Sequence, residues 1–367
     1  MPAAPQRRGR EGGNVARQRL RIQRLIGPRF AEPADVVRWF GAVQAQDYAG
    51  ALWAIGQRTR RATAARVEQA IAERAIVRTW PLRGTLHFTT PDDLRWMLKW
   101  LAPRMMARAA ARFAQFELDA TVFARCAAII VRALEGGRQL SRPALYALFE
   151  RAGISTTDNR GVHILFGLAH QGLICCGARE GKQHTFALLD EWLPPSPPSR
   201  LLDRDQALAE LARRYFTSHA PATLADFIWW SGLETADARR AVAAAGVPHL
   251  APSHPTFHTA PRRAPARRTR HRCEALLLPP YDEYTVAYRD RRAALDPKHA
   301  TAARNGIFSP TIVINGRIAG LWTRRVEKHA VAIALQPFVA LSRGEMRGVS
   351  AQAARYGRFL GLPAHIV

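Results

Sequence analysis

Three times between residues 14 and 260 the chain lays down short amphipathic helices, and twice the run ends in a pair of strands. Helical spacing covers Asn14 to Ile26 and stops at Gly27-Pro28. It resumes after Pro33 with Val36, Val37, Phe40 and Val43, and Thr63 reads as the N-cap of a third helix through Arg74. Ile76–Trp80 and Thr85–Thr89 have strand character and are joined by Pro81-Leu82-Arg83-Gly84. Three helices and then a hairpin is the order of a winged helix.

Pro91 opens a further helix, and another runs from Asp119 to Leu134. The theme then repeats. Ser141 caps a helix through Ala152, Gly153 ends it, and Asn159 to His170 forms a second. The strands Leu173–Gly177 and His184–Leu189 follow, around Arg179-Glu180-Gly181-Lys182. A proline-rich linker, Pro194-Pro195-Ser196-Pro197-Pro198, precedes a third set of helices. Asp203 starts the first of these, Thr223 caps Leu224–Trp230, and Thr235 caps Ala236–Ala245. The last region reads as mainly β: Leu276–Leu278, then Thr311–Ile314 and Ile318–Thr323 around the Asn315-Gly316 turn, then Val326–Leu335. A helix from Gly344 to Leu360 closes the chain. The expected fold class is α+β, with three tandem winged-helix modules and a C-terminal β-rich, barrel-like domain. The expected boundaries are 14–135, 136–193, 200–260 and 261–367.

Charge points to the partner. The 367 residues carry a formal net charge of +25, and all but four of the 54 basic residues are arginine. Such a field favours a polyanion, and arginine suits bidentate contact with phosphate and guanine. Double-stranded DNA is the expected partner. Arg78 and Arg83 flank the first hairpin and are phosphate candidates. His87, on its second strand, is placed with them, although a strand histidine more often serves packing. Arg262, Arg263, Arg267 and Arg268 lie in an arginine-rich stretch that reads as a phosphate-binding arm. The four cysteines (Cys126, Cys175, Cys176, Cys273) show no zinc spacing. No segment approaches a transmembrane length of apolar residues. The expectation is a reduced, cytoplasmic, nucleoid-associated protein with no cofactor, no metal, no membrane and no obligatory protein partner.

The segment Val43-Gln44-Ala45-Gln46-Asp47-Tyr48 sets two carboxamides one residue apart, directly after a helix. Glutamine is neither acid nor base near neutral pH, so bracing a helix end is the plain reading. Two carboxamides also hold water. An extended backbone would put both side chains on one side, whereas a helix would set them about 200° apart. The expectation is an extended or irregular segment, with Asp47 facing away as the alternative base. The adjacent acids Asp282 and Glu283 read as structural, bound to backbone amides or arginine. Trp229 and Trp230 read as packing.

Long strings of this chain resemble the winged-helix family that includes the AlkZ and YcaQ type bacterial DNA glycosylases. They are Gln44-Ala45-Gln46-Asp47, Arg78-Thr79-Trp80-Pro81-Leu82-Arg83-Gly84-Thr85-Leu86-His87, Leu278-Pro279-Pro280-Tyr281-Asp282-Glu283-Tyr284 and Asn305-Gly306-Ile307-Phe308. The resemblance implies tandem winged helices forming a concave basic surface for duplex DNA. It also implies monofunctional excision of N7-alkylguanine, including unhooking of interstrand crosslinks, with Gln44 and Gln46 as the catalytic pair. Alkylation at N7 makes the base cationic, so it leaves as a neutral species and needs little acid help. The enzyme then has to orient a water and stabilise a sugar that becomes oxocarbenium-like. A crosslinked guanine is tied to the other strand and cannot be flipped out in the usual way, so obligatory base flipping is not expected. The competing reading is a non-catalytic winged-helix DNA-binding protein, a transcriptional regulator or an architectural protein.

Overall fold

The computed structural model describes residues 15–193, 195, 201–247, 273–303 and 306–367. The chain divides into two compact units, Met1–Val67 with Leu208–Val367, and Glu68–Ala207. The boundary at Val67/Glu68 falls inside the first of the four expected segments.

The first unit is built from helices and a five-stranded sheet. Residues 15–22 are helical, followed by Pro33–Phe40, the two-residue strand Val43–Gln44 and the helix Tyr48–Arg58. Helices ending at His219, over Leu224–Ser231 and over Thr235–Ala244 come next. The sheet runs in the order Ala275–Leu278, Thr311–Ile314, Arg317–Val326, Val331–Pro337, Ala364–Ile366. Its pairs are antiparallel except the last, which is parallel. Leu20 and Leu25 of the N-terminal segment pack with Leu276, Leu278, Val313 and Ile318 of the sheet, and all six are buried. Asn315 and Gly316 turn the hairpin at φ 50° and 86°, the doubly left-handed turn that this dipeptide favours.

The second unit carries strands in the order Thr85–Thr89, Val77–Leu82, Ile174–Cys176, Thr185–Leu188, Leu140–Ser141. Arg78 pairs with Cys176 where its two hairpins meet. The helices Pro91–Gln115, Ala120–Leu134, Arg142–Arg151 and Arg160–His170 bury Phe113, Phe123, Leu145, Phe149, Ile164 and Leu168 against Ile174 and Phe186. Ser141 does cap its helix, accepting from the Ala144 amide.

Several sequence expectations change. The helix Tyr48–Arg58 was not foreseen. Every residue from Gly50 to Arg58 is buried, so the stretch has no polar face to give it a period. Val326–Leu335 is not one strand: the chain turns at Glu327, whose N–H bonds the Ala330 carbonyl, and re-enters the sheet over Val331–Pro337. The turn after Trp80 is tighter than expected, because the strand continues through Pro81 to Leu82 past an irregularity in register. The helix after Pro33 ends at Phe40, so Val43, which the helical spacing included, stands in a strand beyond Gly41. Thr235 is the first helical residue and not the cap. The arginines Arg262, Arg263, Arg267 and Arg268, the linker serine Ser196 and Asn305 lie outside the described residues.

Candidate active site

The glutamine segment is fixed at both ends by local chemistry. Gly41, at φ 78°, ends the Pro33–Phe40 helix with its N–H on the Val37 carbonyl; glycine accepts this conformation at little cost. The chain is then extended through Val43–Gln44. Asp47 starts the next helix, its Oδ1 accepting the Gly50 N–H at 2.9 Å. The backbone is extended at Gln44 and bends at Gln46, an irregular segment of the kind the spacing called for. Their exposures differ: Gln44 is 6% exposed, Ala45 fully buried and Gln46 exposed. Asp47 is half-buried, and its charge acts on the Tyr356 phenol. Burial raises that phenol to about 12, opposed by Arg324 and aided by Asp47.

Residues far along the chain hold this segment. The side chain of Glu283, 1% exposed, sends its two oxygens in different directions. Oε1 accepts the backbone N–H of Gln44 at 2.9 Å. Oε2 lies 3.1 Å from Trp230 Nε1, which donates to it, and 3.2 Å from His219 Nε2. A carboxylate only accepts, so it suits three converging donors. His219 is fully buried and stacked on Tyr215, with centroids 4.6 Å apart. Its Nδ1 is 2.8 Å from Ser218 Oγ. With the ring proton on Nε2, His219 donates to Glu283 and leaves Nδ1 to accept from the hydroxyl. Burial pulls the imidazole below its usual range, and the hydrogen bond and charge of Glu283 only partly oppose that.

Asp282, the neighbouring acid, is spent differently. Its carboxylate takes Arg58 Nη2 and Nη1 at 2.7 and 2.8 Å and accepts the Tyr284 N–H at 2.9 Å. Arg58 also donates to the Gln23 carbonyl and Oε1, and Gln23 Nε2 in turn donates to the Tyr288 hydroxyl at 3.0 Å. Both acids thus serve the structural ends the sequence suggested, Asp282 on an arginine and Glu283 on a backbone amide. His219 was not among the residues the sequence singled out. The only local hint was a lone polar ring between Tyr215-Phe216 and Ala220-Pro221 in a stretch otherwise fit for a core.

The other candidates belong to the second unit. His87 is fully buried. Arg83 Nη2 faces its Nε2 at 3.2 Å, so that nitrogen accepts and Nδ1–H donates to the Thr85 carbonyl at 2.8 Å. Arg83, half-buried, stands at the turn with φ 54°. Arg78 is 5% exposed and bonds the Cys176 thiol, whose pKa burial raises and Arg78 draws down. His184, beside Arg78, Arg179 and Arg142, is lowered to about 4 by burial first and then by those charges.

A family model for DNA glycosylase AlkZ-like proteins matches residues 37–359. The chain belongs to the AlkZ-like DNA glycosylase family. An interstrand DNA cross-link repair glycosylase of Streptomyces sahachiroi is 25% identical to it over 378 residues, covering 95% of this chain and 97% of the relative. The solved structure of the Streptomyces sahachiroi DNA glycosylase AlkZ matches with a TM-score of 0.76 at 22% identity, over 97% of this chain and 99% of that one. At that identity the likeness concerns the fold, which is mixed α and β with a sheet curled into half a barrel where the sequence suggested a barrel-like domain. AlkZ-like membership makes the chain an enzyme, a DNA glycosylase acting on N-glycosyl bonds, and sets aside the non-catalytic reading.

Proposed function

We propose that this glycosylase hydrolyses the N-glycosidic bond of N7-alkylguanine in duplex DNA, with Gln44 and Gln46 holding the attacking water. The observation that carries the reading is the glutamine segment itself. It is extended at Gln44, bends at Gln46 and is pinned between Gly41 and Asp47, with one carboxamide drawn inside and the other at the surface. A leaving group that is already cationic removes the need for a strong acid. The carboxamide oxygens orient water beneath the anomeric carbon, and their dipoles stabilise positive charge as it grows on the sugar. Asp47 is the weaker base, since one of its oxygens caps a helix.

The relative's name ties it to interstrand cross-link repair. Carried to this chain, the same action unhooks a crosslinked guanine, which requires that the base be attacked without obligatory flipping. Three winged-helix modules and a basic concave face would hold the duplex, with Arg83 and the arm of Arg262, Arg263, Arg267 and Arg268 on phosphates; Arg78, read from the sequence as a phosphate contact, is buried against Cys176 and would support the hairpin from within. His87 acts behind Arg83. A cytoplasmic, nucleoid-bound location fits such a substrate.

The test is base release from a duplex carrying one N7-methylguanine, followed by alkaline cleavage of the abasic site. Release should exceed the spontaneous rate and fall about a hundredfold in Gln44→Ala or Gln46→Ala. No release by the wild type, or full release by the double variant, ends the reading. A crosslinked duplex run alongside decides whether flipping is needed.

A further inference from the structure

Resting on the assignment of Gln44 and Gln46 to the water, we infer that Glu283 is a positioning residue for Gln44, holding its backbone in place and setting a negative charge beside it. A carboxylate 1% exposed is an expensive group to keep; burying an ion costs several kcal/mol unless partners offset it. Its partners here come from separate parts of the chain. His219 and Trp230 sit on two different helices and converge on Oε2 at 3.2 and 3.1 Å. That leaves Oε1 for the Gln44 N–H at 2.9 Å.

The support behind Glu283 is itself locked. Tyr215 stacks on His219, and the Tyr288 hydroxyl donates to the His219 carbonyl at 2.6 Å. Asp282, one residue before, is clamped by Arg58. The segment being held is a strand of only two residues, which has little rigidity of its own. A water-holding pair must be placed to within about half an ångström to be useful, and a hydrogen bond to the backbone of Gln44 fixes that carboxamide without occupying it. The sign of the charge also suits the reaction. Glu283 accepts from the Gln44 N–H and the Trp230 indole and lies against the His219 ring, so it sets a carboxylate next to a segment that must favour a cationic sugar.

The experiment measures three quantities on one duplex carrying N7-methylguanine: single-turnover release, Kd and the protein's Tm. The variants are Glu283→Gln, Trp230→Phe, Gln44→Ala/Gln46→Ala, and Glu283→Gln added to that double variant. Glu283→Gln keeps an oxygen for the Gln44 N–H and removes the charge. The new amide nitrogen stands where Oε2 was: His219 can accept from it by moving its own proton to Nδ1, which faces the Tyr215 carbonyl at 3.2 Å, while the Trp230 N–H loses its acceptor. Release should fall at least about tenfold in Glu283→Gln and about fivefold in Trp230→Phe, with Kd changed by less than about twofold. Adding Glu283→Gln to the double variant should cost nothing more.

Wild-type release by Gln44→Ala/Gln46→Ala would defeat the water assignment, and this inference with it. A slow double variant beside a folded Glu283→Gln at the wild-type rate would defeat the inference alone. So would a further loss in the glutamine-free background, or a rate loss matched by weaker DNA binding, since either marks a merely structural role. If Glu283→Gln does not melt cooperatively, Trp230→Phe decides, and wild-type release there overturns the inference.

Discussion

Asp282 and Arg58 face each other through two hydrogen bonds of 2.7 and 2.8 Å, with side chains 0% and 1% exposed. Arg58 is the last residue of the helix that Asp47 caps, and Asp282 precedes Glu283. One buried ion pair therefore ties the far end of the helix that follows the glutamines to the N-cap of the short helix Glu283–Val286, whose first residue holds Gln44. Removing one partner leaves the other charged and dry. Asp282→Ala should destabilise the first unit by about 3 to 5 kcal/mol, read as a lowered midpoint in denaturant unfolding. A loss under about 1 kcal/mol, the range of exposed pairs, would show that water reaches Arg58.

Asp47 separates a cap from a base. Asparagine caps helices about as well as aspartate, whereas alanine loses about 1 kcal/mol. Asp47→Asn should keep both the melting temperature and most of the base release, and Asp47→Ala should lose stability. A collapse of release in Asp47→Asn with stability intact would make the carboxylate the base.

His184 should make stability depend on mild acid. Its folded pKa is about 4 against 6.5 for the free side chain. Between those values the unfolded chain holds a proton that the folded chain does not, so stability rises with pH across this window. The contribution is complete above pH 6.5 and lost as pH falls toward 4. The side chain is partly exposed, so solvent screening keeps the effect modest. The ring should remain neutral at pH 5.5 by NMR, and His184→Gln should flatten the pH slope of unfolding. A titration midpoint near 6.5 would contradict the environment described.

Arg83 is the most accessible of the hairpin candidates. Arg83→Gln should weaken duplex binding equally across sequences and reduce the slope of log affinity against log salt by about 1. His87→Phe should act through Arg83, with a smaller change. An unchanged salt slope in Arg83→Gln would remove it from the phosphate contacts.

Local signals were sufficient where chemistry acts between near neighbours. Thr223 caps its helix, Ser141 accepts the Ala144 amide, and Asn315-Gly316 turns a hairpin. Each needs only residues within a turn of one another. The same holds for the candidate site: Gln44, Gln46 and Asp47 stand out in the string, and so does the Asp282-Glu283 pair.

The string hid what depends on distant partners. The Tyr48–Arg58 helix is buried along nearly its whole length, and a helix without a wet face carries no amphipathic period. Glu283 lies 64 residues from His219 and 53 from Trp230, and it meets Gln44 across 239 residues. Which oxygen of a buried carboxylate serves which donor is set by packing among elements that have no order in sequence. Motif and resemblance thus pointed to the glycosylase family, singled out the glutamine pair as candidates and read both acids as structural groups. Tertiary structure alone decided that one of those acids holds the glutamine backbone, because a hydrogen bond fixes geometry only after folding has removed the water that would compete for it.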